Sequence, residues 1–131
     1  MIFGIGTDLV AINRIEEGLA KHRDRFLHRI LSDAELAEYA KHNSSANTQA
    51  AARFVAKRFA AKEAFSKAFG TGIGEAVGWH DVRVTHDTNG KPLIAVSPAL
   101  QIRLDAAGVN RTHISISDEQ DHAIAFVVLE S

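Results

Sequence analysis

The chain has 131 residues, 46% of them hydrophobic, which suits one compact domain and is too few for two separately cored ones. Sixteen acids against fifteen Lys and Arg leave a formal net charge of −1 with the seven histidines neutral, so no global field points to a polyanionic partner. The absence of cysteine excludes disulfides, thiolate nucleophiles, Cys-ligated zinc and iron–sulfur clusters.

The segment Met1-Ile2-Phe3-Gly4-Ile5-Gly6 lacks the basic region of a signal peptide, and Asp8 stops its apolar run. No stretch approaches the roughly 18 apolar residues of a membrane span. The expectation is a soluble, cytoplasmic protein, a single domain over 1–131 with no membrane partner.

Ile2 to Val10 predicts a strand whose period of two puts Gly4, Gly6 and Asp8 on one face and Phe3, Ile5, Thr7 and Leu9 on the other. Two glycines on one side predict close approach of another backbone or a ligand, with Asp8 delivered to the same place. From Ala11 to Leu31 the spacing Ile12, Ile15, Leu19, Phe26, Ile30 is helical, basic on the surface and broken between Gly18 and Asp24. Ser32-Asp33-Ala34-Glu35 is a capping box that opens a helix running to about Lys41. His42 to Thr48 reads as a polar loop.

Gln49 to Phe69 is the longest helical signal, rich in Ala, free of Gly and Pro, and closed by Gly70. Phe54, Phe65 and Phe69 share one side while Val55 and Phe59 cover another, which predicts a central helix covered on most sides. Trp79 to His86, the turn Asp87-Thr88-Asn89-Gly90-Lys91-Pro92, and Leu93 to Val96 predict a hairpin. Ser97-Pro98 opens a helix that Gly108 closes. Thr112 to Ser117 and His122 to Leu129 predict a second hairpin. The fold class is therefore α+β, a mostly antiparallel sheet packed against a long central helix.

Ionisable residues on a covered helix need a reason. Glu63 follows Ala56, Phe59 and Ala60 by one and two turns, so its carboxylate is partly desolvated unless a cation compensates. Lys67, four residues on, predicts an ordinary intrahelical ion pair when the helix is taken alone. If the glycine face of the first strand packs on this helix, Asp8 and Glu63 converge, and two carboxylates sharing a site favour a hard cation such as magnesium, completed by substrate phosphates.

Arg53, Lys57, Arg58, Lys62 and Lys67 make five cations against one acid on this helix. They predict a nucleotide or another phosphorylated ligand, the alternative being a solvated basic stripe with snorkelling stems. Gly70-Thr71-Gly72-Ile73-Gly74 is no P-loop, because it follows a helix and lacks the Lys-Ser/Thr pair. No Gly-x-Ser-x-Gly elbow supports a serine triad, the histidines lack metal-ligand spacing, and one Trp and one Tyr provide no aromatic interleaving for nucleic acid.

Taken in order, Ile5-Gly6-Thr7-Asp8 with the Ile-x-Arg-Ile helix, Arg58-Phe59-Ala60-Ala61-Lys62-Glu63-Ala64-Phe65-Ser66-Lys67-Ala68 ahead of Gly70-Thr71-Gly72, Asn89-Gly90-Lys91-Pro92 and His113-Ile114-Ser115-Ile116-Ser117 resemble the holo-[acyl-carrier-protein] synthase family of short 4′-phosphopantetheinyl transferases. The resemblance spans nearly the whole chain. It implies transfer of the 4′-phosphopantetheine arm of coenzyme A to a serine of apo acyl carrier protein, releasing adenosine 3′,5′-bisphosphate, in fatty acid biosynthesis. It implies Mg2+ held by Asp8 and Glu63, with Lys67 as a phosphate or leaving-group contact.

By the same resemblance, Arg58, Lys62 and His113 meet the adenosine 3′-phosphate and pyrophosphate. Ser66, Gly70, Thr71, Gly72, Asn89 and Pro92 line the nucleotide, and Arg14, Lys21, Arg25 and Arg29 dock the carrier protein. The residues do not determine the serine's base; a metal-bound or bridging water assisted by Glu63 is the expectation. Many relatives carry Ser/Thr-His after the His113 strand, whereas Asp118 follows Ser117 here, so a role for that second histidine does not transfer.

The family also implies a homotrimer with sites between chains. Ala123 to Leu129 has no polar face, which predicts a strand buried on both sides, most easily by added subunits. Other readings of the same residues are a transferase for a polyketide or peptide carrier, a nonenzymatic coenzyme A or nucleotide module, and an architectural protein. The near-zero net charge hides two basic segments, offset in part by the last 18 residues, which hold four acids and no Lys or Arg.

Overall fold

The computed structural model describes residues 1–42 and 47–131; the middle of the polar loop expected over His42 to Thr48 is outside the described residues. In chain order the elements are β1 (Ile2–Ala11), α1 (Ile12–Ile30), α2 (Asp33–His42), α3 (Thr48–Phe69), β2 (Val82–His86), β3 (Pro92–Val96), α4 (Pro98–Ala107), β4 (Arg111–Asp118) and β5 (His122–Glu130). An antiparallel sheet in the order β1-β5-β4 packs against α3, and β2 and β3 form a separate antiparallel hairpin.

Helix α3 is the core of the molecule. Ala52, Val55, Ala56, Ala60, Ala61, Ala64 and Phe65 are buried along it, and full burial of a side chain such as Phe65 contributes about 1.5–3 kcal/mol. Asn47 caps its start by accepting from the Ala50 N–H at 3.0 Å, and Gly70 ends it with φ at +99°.

The glycine face of β1 lies on this helix, as its sequence predicts. A Cβ at Gly4 would collide with the Ala68 carbonyl oxygen, and one at Gly6 with that of Ala64. Only a strand without side chains at these two positions lets the backbones meet, and Asp8 is carried in on the same face.

Local signals elsewhere are obeyed. The Ser32–Glu35 capping box forms, Ser97 caps α4 through the Leu100 N–H at 3.1 Å, and Gly108 ends it. Helix α1 carries its break at His22, whose φ of −147° is extended, with the Phe26 ring packed where Gly18 has no side chain. The strand expected from Trp79 begins later, at Val82. Asp81 closes a turn instead, accepting from the Gly78 N–H at 2.8 Å while its own N–H donates to the Gly78 carbonyl at 3.0 Å.

Strand β5 also differs from expectation within one chain. Ala123, Ala125, Val127 and Leu129 are buried toward α3, but Ile124 and Phe126 on the opposite side are each 41% exposed. The register places them beside Leu9, 64% exposed, and Thr7 of β1, with Ile5, 60% exposed, beside Val128. The sheet thus has an inner face on α3 and an outer apolar face.

Candidate active site

Asp8 and Glu63 approach each other where the inner face of β1 meets α3. Burial, and next the negative charge of Asp8, push the Glu63 carboxyl above its usual range, while the cations Lys67 and Arg14 oppose the rise. Two carboxylates and two cations therefore share one half-buried place.

The partnership of Lys67 departs from its helical spacing. Its Nζ donates to Asp8 Oδ1 at 3.2 Å and to the Thr7 carbonyl at 3.0 Å, so it ties α3 to β1; among the described residues no ion pair joins it to Glu63. Arg14, expected only as a docking residue, reaches the same site from the first turns of α1. Its guanidinium lies 5.5 Å from the centre of the Phe59 ring, which in turn packs on Trp79 at 5.0 Å.

A second cluster lies where α3 meets the β2–β3 hairpin and β4. A cleft of about 180 Å³ is lined by Lys57, Arg58, His86, Gly90, Pro92 and Asp118, among others. Arg58 is buried, stacked on Phe54 at 3.6 Å and paired with Glu38 at 3.2 Å, and among the described residues its buried Nε has no hydrogen-bond partner. Burial holds its pKa below the usual value despite the opposing charges of Glu38 and Glu35. A guanidinium at the wall of an open cleft is suited to an anionic group such as a phosphate. Asn89 sits on the exposed turn next to Gly90, where its N–H donates to Asp87 Oδ1 at 2.8 Å.

Two residues expected at the nucleotide turn inward instead. Ser66 is fully buried, its hydroxyl donating to the Glu63 carbonyl at 2.7 Å. Its carbonyl accepts from the N–H groups of Gly70, Thr71 and Gly72 at 3.0–3.2 Å, so Ser66 shapes the glycine turn rather than lining a ligand. Lys62 is 0% exposed, and its ammonium donates to the Ile30 carbonyl and Glu35 Oε1, both at 2.6 Å, and to the Trp79 carbonyl at 2.8 Å. All three hydrogens are used inside the protein, leaving none for a phosphate. Desolvation lowers its pKa, and Glu35 opposes that change.

The turn of Gly70, Thr71 and Gly72 stands one helical turn beyond Lys67 and is open to solvent around Gly70 and Thr71. His113 is not brought to Asp8 and Glu63. It lies on the outer face of β4, hydrogen-bonded through Nε2 to Glu130 Oε1, and its register partner Val128 faces outward with Ile5. Lys21, Arg25 and Arg29 are exposed along α1. Sequence reasoning missed Phe59 and Trp79 as the support of Arg14, and Glu38 as the partner of Arg58. The position of Phe59, one turn before Glu63, was the one available signal.

The sequence and fold are similar to those of known proteins. The family model described as the 4′-phosphopantetheinyl transferase superfamily matches residues 4–127. A holo-[acyl-carrier-protein] synthase of Nitrosospira multiformis is 51% identical over 130 residues, 99% of each chain. The crystal structure of a holo-[acyl-carrier-protein] synthase from Neisseria meningitidis superposes with a TM-score of 0.90 at 44% identity over 100% of both chains. That of the Bacillus anthracis synthase in complex with CoA (3′,5′-ADP) matches with a TM-score of 0.79 at 43% identity, covering 100% of this chain and 98% of the other. The chain therefore belongs to the 4′-phosphopantetheinyl transferase superfamily and, within it, to the family of the holo-[acyl-carrier-protein] synthases.

Proposed function

We propose that this chain transfers the 4′-phosphopantetheine moiety of coenzyme A to a serine of apo acyl carrier protein, giving holo acyl carrier protein and adenosine 3′,5′-bisphosphate. The observation that carries the reading is the meeting of Asp8 of β1 and Arg14 of α1 with Glu63 and Lys67 of α3, a helix that also borders a basic cleft. A B. anthracis relative at 43% identity holds CoA (3′,5′-ADP), which matches the chemistry of that cleft.

In this reading Arg58, with Lys57 at the cleft, binds the adenosine 3′-phosphate, and Asn89, Gly90 and Pro92 border the base. The Lys67 ammonium, beside the solvent-open Gly70–Gly72 turn, holds the pyrophosphate. The serine hydroxyl attacks the β-phosphorus, the bond to the bridging oxygen breaks, and the leaving 5′-phosphate departs toward the cations. Glu63, whose proton affinity is raised, takes up the serine proton through a bridging water.

The donor set fits Mg2+. Two hard carboxylates that repel each other gain from a shared divalent ion, and Mg2+ is commonly held by one or two carboxylates with substrate phosphates filling the rest. Asp8 and Glu63 would hold it, and when bound it would supply counter-charge to the pyrophosphate.

Arg14, Lys21, Arg25 and Arg29 would meet the acidic carrier protein, raising the on-rate in a salt-sensitive way. A homotrimer is part of the proposal. The outer apolar face around Ile5, Leu9, Ile124 and Phe126 gives it a surface to bury, and its closure would bring His113 of one chain toward the site of the next. So are action in the cytoplasm and a role in fatty acid biosynthesis; no described helix is long and apolar enough to cross a membrane.

The test is incubation of purified protein with coenzyme A, Mg2+ and apo acyl carrier protein, read by intact mass of the carrier. A gain of one phosphopantetheine supports the reading. Modification of a polyketide or peptide carrier alone would redirect it, and coenzyme A binding with no transfer to any carrier would reduce the protein to a binding module.

A further inference from the structure

The buried cation on α3 makes contacts that a merely structural ion pair does not need. Lys62 Nζ reaches the last residue of α1 through the Ile30 carbonyl, the first turn of α2 through Glu35, and the turn before β2 through the Trp79 carbonyl. The Glu35 carboxylate continues the network. Its Oε1 accepts from the Ser32 N–H at 3.0 Å and the Ser32 hydroxyl at 3.2 Å, and its Oε2 accepts from the Val84 N–H of β2 at 3.2 Å. Glu35 is 1% exposed, so nothing in solvent replaces any of these bonds.

The elements joined are those that bear the two substrates in the proposed reaction, on which this inference rests. Helix α1 presents Arg14, Lys21, Arg25 and Arg29. Strand β2 carries Val84 and His86, which line the basic cleft with Pro92 and Gly90 of the same hairpin. Trp79, whose carbonyl Lys62 holds, packs its ring on Phe59, and Phe59 lies under the Arg14 guanidinium. Helix α3 carries Glu63 as the very next residue.

We propose that Lys62 and Glu35 are positioning residues for the transfer, a buried pair that locks the carrier-docking helix and the nucleotide hairpin to α3 so that both substrates meet Asp8 and Glu63 in register. Lys62 then acts on coenzyme A and on the carrier alike, through the elements it holds and without touching either. Loss of a substrate-positioning contact typically lowers kcat/KM by one to two orders of magnitude.

The experiment compares Lys62→Met, which keeps the stem and removes the charge, and Glu35→Gln, which keeps an acceptor for Ser32 and Val84. Leu104→Ala, a buried position on α4 that makes none of these bonds, is the control for stability loss alone. Full-length proteins are assayed for transfer well below their melting temperatures, varying coenzyme A and carrier separately. The expected result is that Lys62→Met raises KM for both substrates, lowering each kcat/KM about tenfold or more, while Leu104→Ala melts earlier with unchanged kinetics.

A rise in KM for coenzyme A alone would make Lys62 a ligand contact and overturn the positioning role. Wild-type kinetics in a folded Lys62→Met would overturn it equally, leaving the pair purely structural. Where Lys62→Met does not fold, Glu35→Gln decides by the same two criteria. A wild-type protein that transfers nothing overturns the proposed reaction and this inference with it, whereas transfer with unaffected variants overturns the inference alone.

Discussion

Lys67 binds Asp8 across the gap between α3 and β1, Nζ to Oδ1 at 3.2 Å, rather than Glu63 along its own helix. The lysine side chain is 51% exposed, and ion pairs this open contribute on the order of 0–1 kcal/mol to stability. Lys67→Met is therefore expected to leave the unfolding midpoint nearly unchanged while lowering transfer about 100-fold, the scale of losing one charged group at a transition state. Urea unfolding and the carrier mass assay read the two effects separately.

Glu63 carries a pH signature. Its pKa is raised in the folded state, first by burial and then by Asp8, so the fold binds that proton more tightly than the unfolded chain does. The ionised form is thus a destabilising group above the raised pKa, and its penalty disappears as pH falls into and below the ordinary glutamate range. Glu63→Gln is expected to melt at a higher temperature than the parent near neutral pH without divalent ions, and to lose that advantage in acid. Added Mg2+ should raise the melting temperature of the parent and not of the variant. Transfer should decline on acidification from a pH above the usual glutamate range.

At Gly6 the effect is steric. A methyl group there would collide with the Ala64 carbonyl oxygen, which belongs to the rigid backbone of α3. Overpacking of this kind costs about 3 kcal/mol or more, because strand or helix must move rather than a side chain rotate. Gly6→Ala should lower the free energy of unfolding by that amount and reduce transfer further than instability accounts for, since Asp8 moves with the strand.

These features differ in how visible they are in the sequence. Capping residues, glycine stops and the bare face of β1 act within a few residues, and the structure obeys them at Ser32, Ser97, Gly70 and Gly6. The convergence of Asp8 and Glu63 could be argued because two short-range patterns happened to meet. The fate of Lys62 could not. On the helix it is one cation among five, and only the approach of Ile30, Glu35 and Trp79 from distant parts of the chain separates it from the other four. The same holds for Lys67, where spacing favours a neighbour on the helix and tertiary packing supplies a different one.

The outer sheet face supplies a further prediction. Phe126 is 41% exposed beside Thr7 and between the rows of Ile5 and Leu9, in the middle of an apolar surface. Phe126→Glu should yield a folded chain of monomer mass by light scattering that no longer transfers, while the parent runs as a trimer. A parent of monomer mass would refute the assembly, and an active monomeric variant would refute sites shared between chains.

The contact of Gly4 and Gly6 with the carbonyls of Ala68 and Ala64 sets the approach of the two elements that carry the acidic residues through main-chain atoms. Side chains elsewhere in the core can drift over generations, trading Val for Ile or Leu for Met, without changing how far Asp8 stands from Glu63. The meeting of the two carboxylates is in this way insulated from the ordinary wear of sequence change, at the expense of two positions where any residue but glycine is refused.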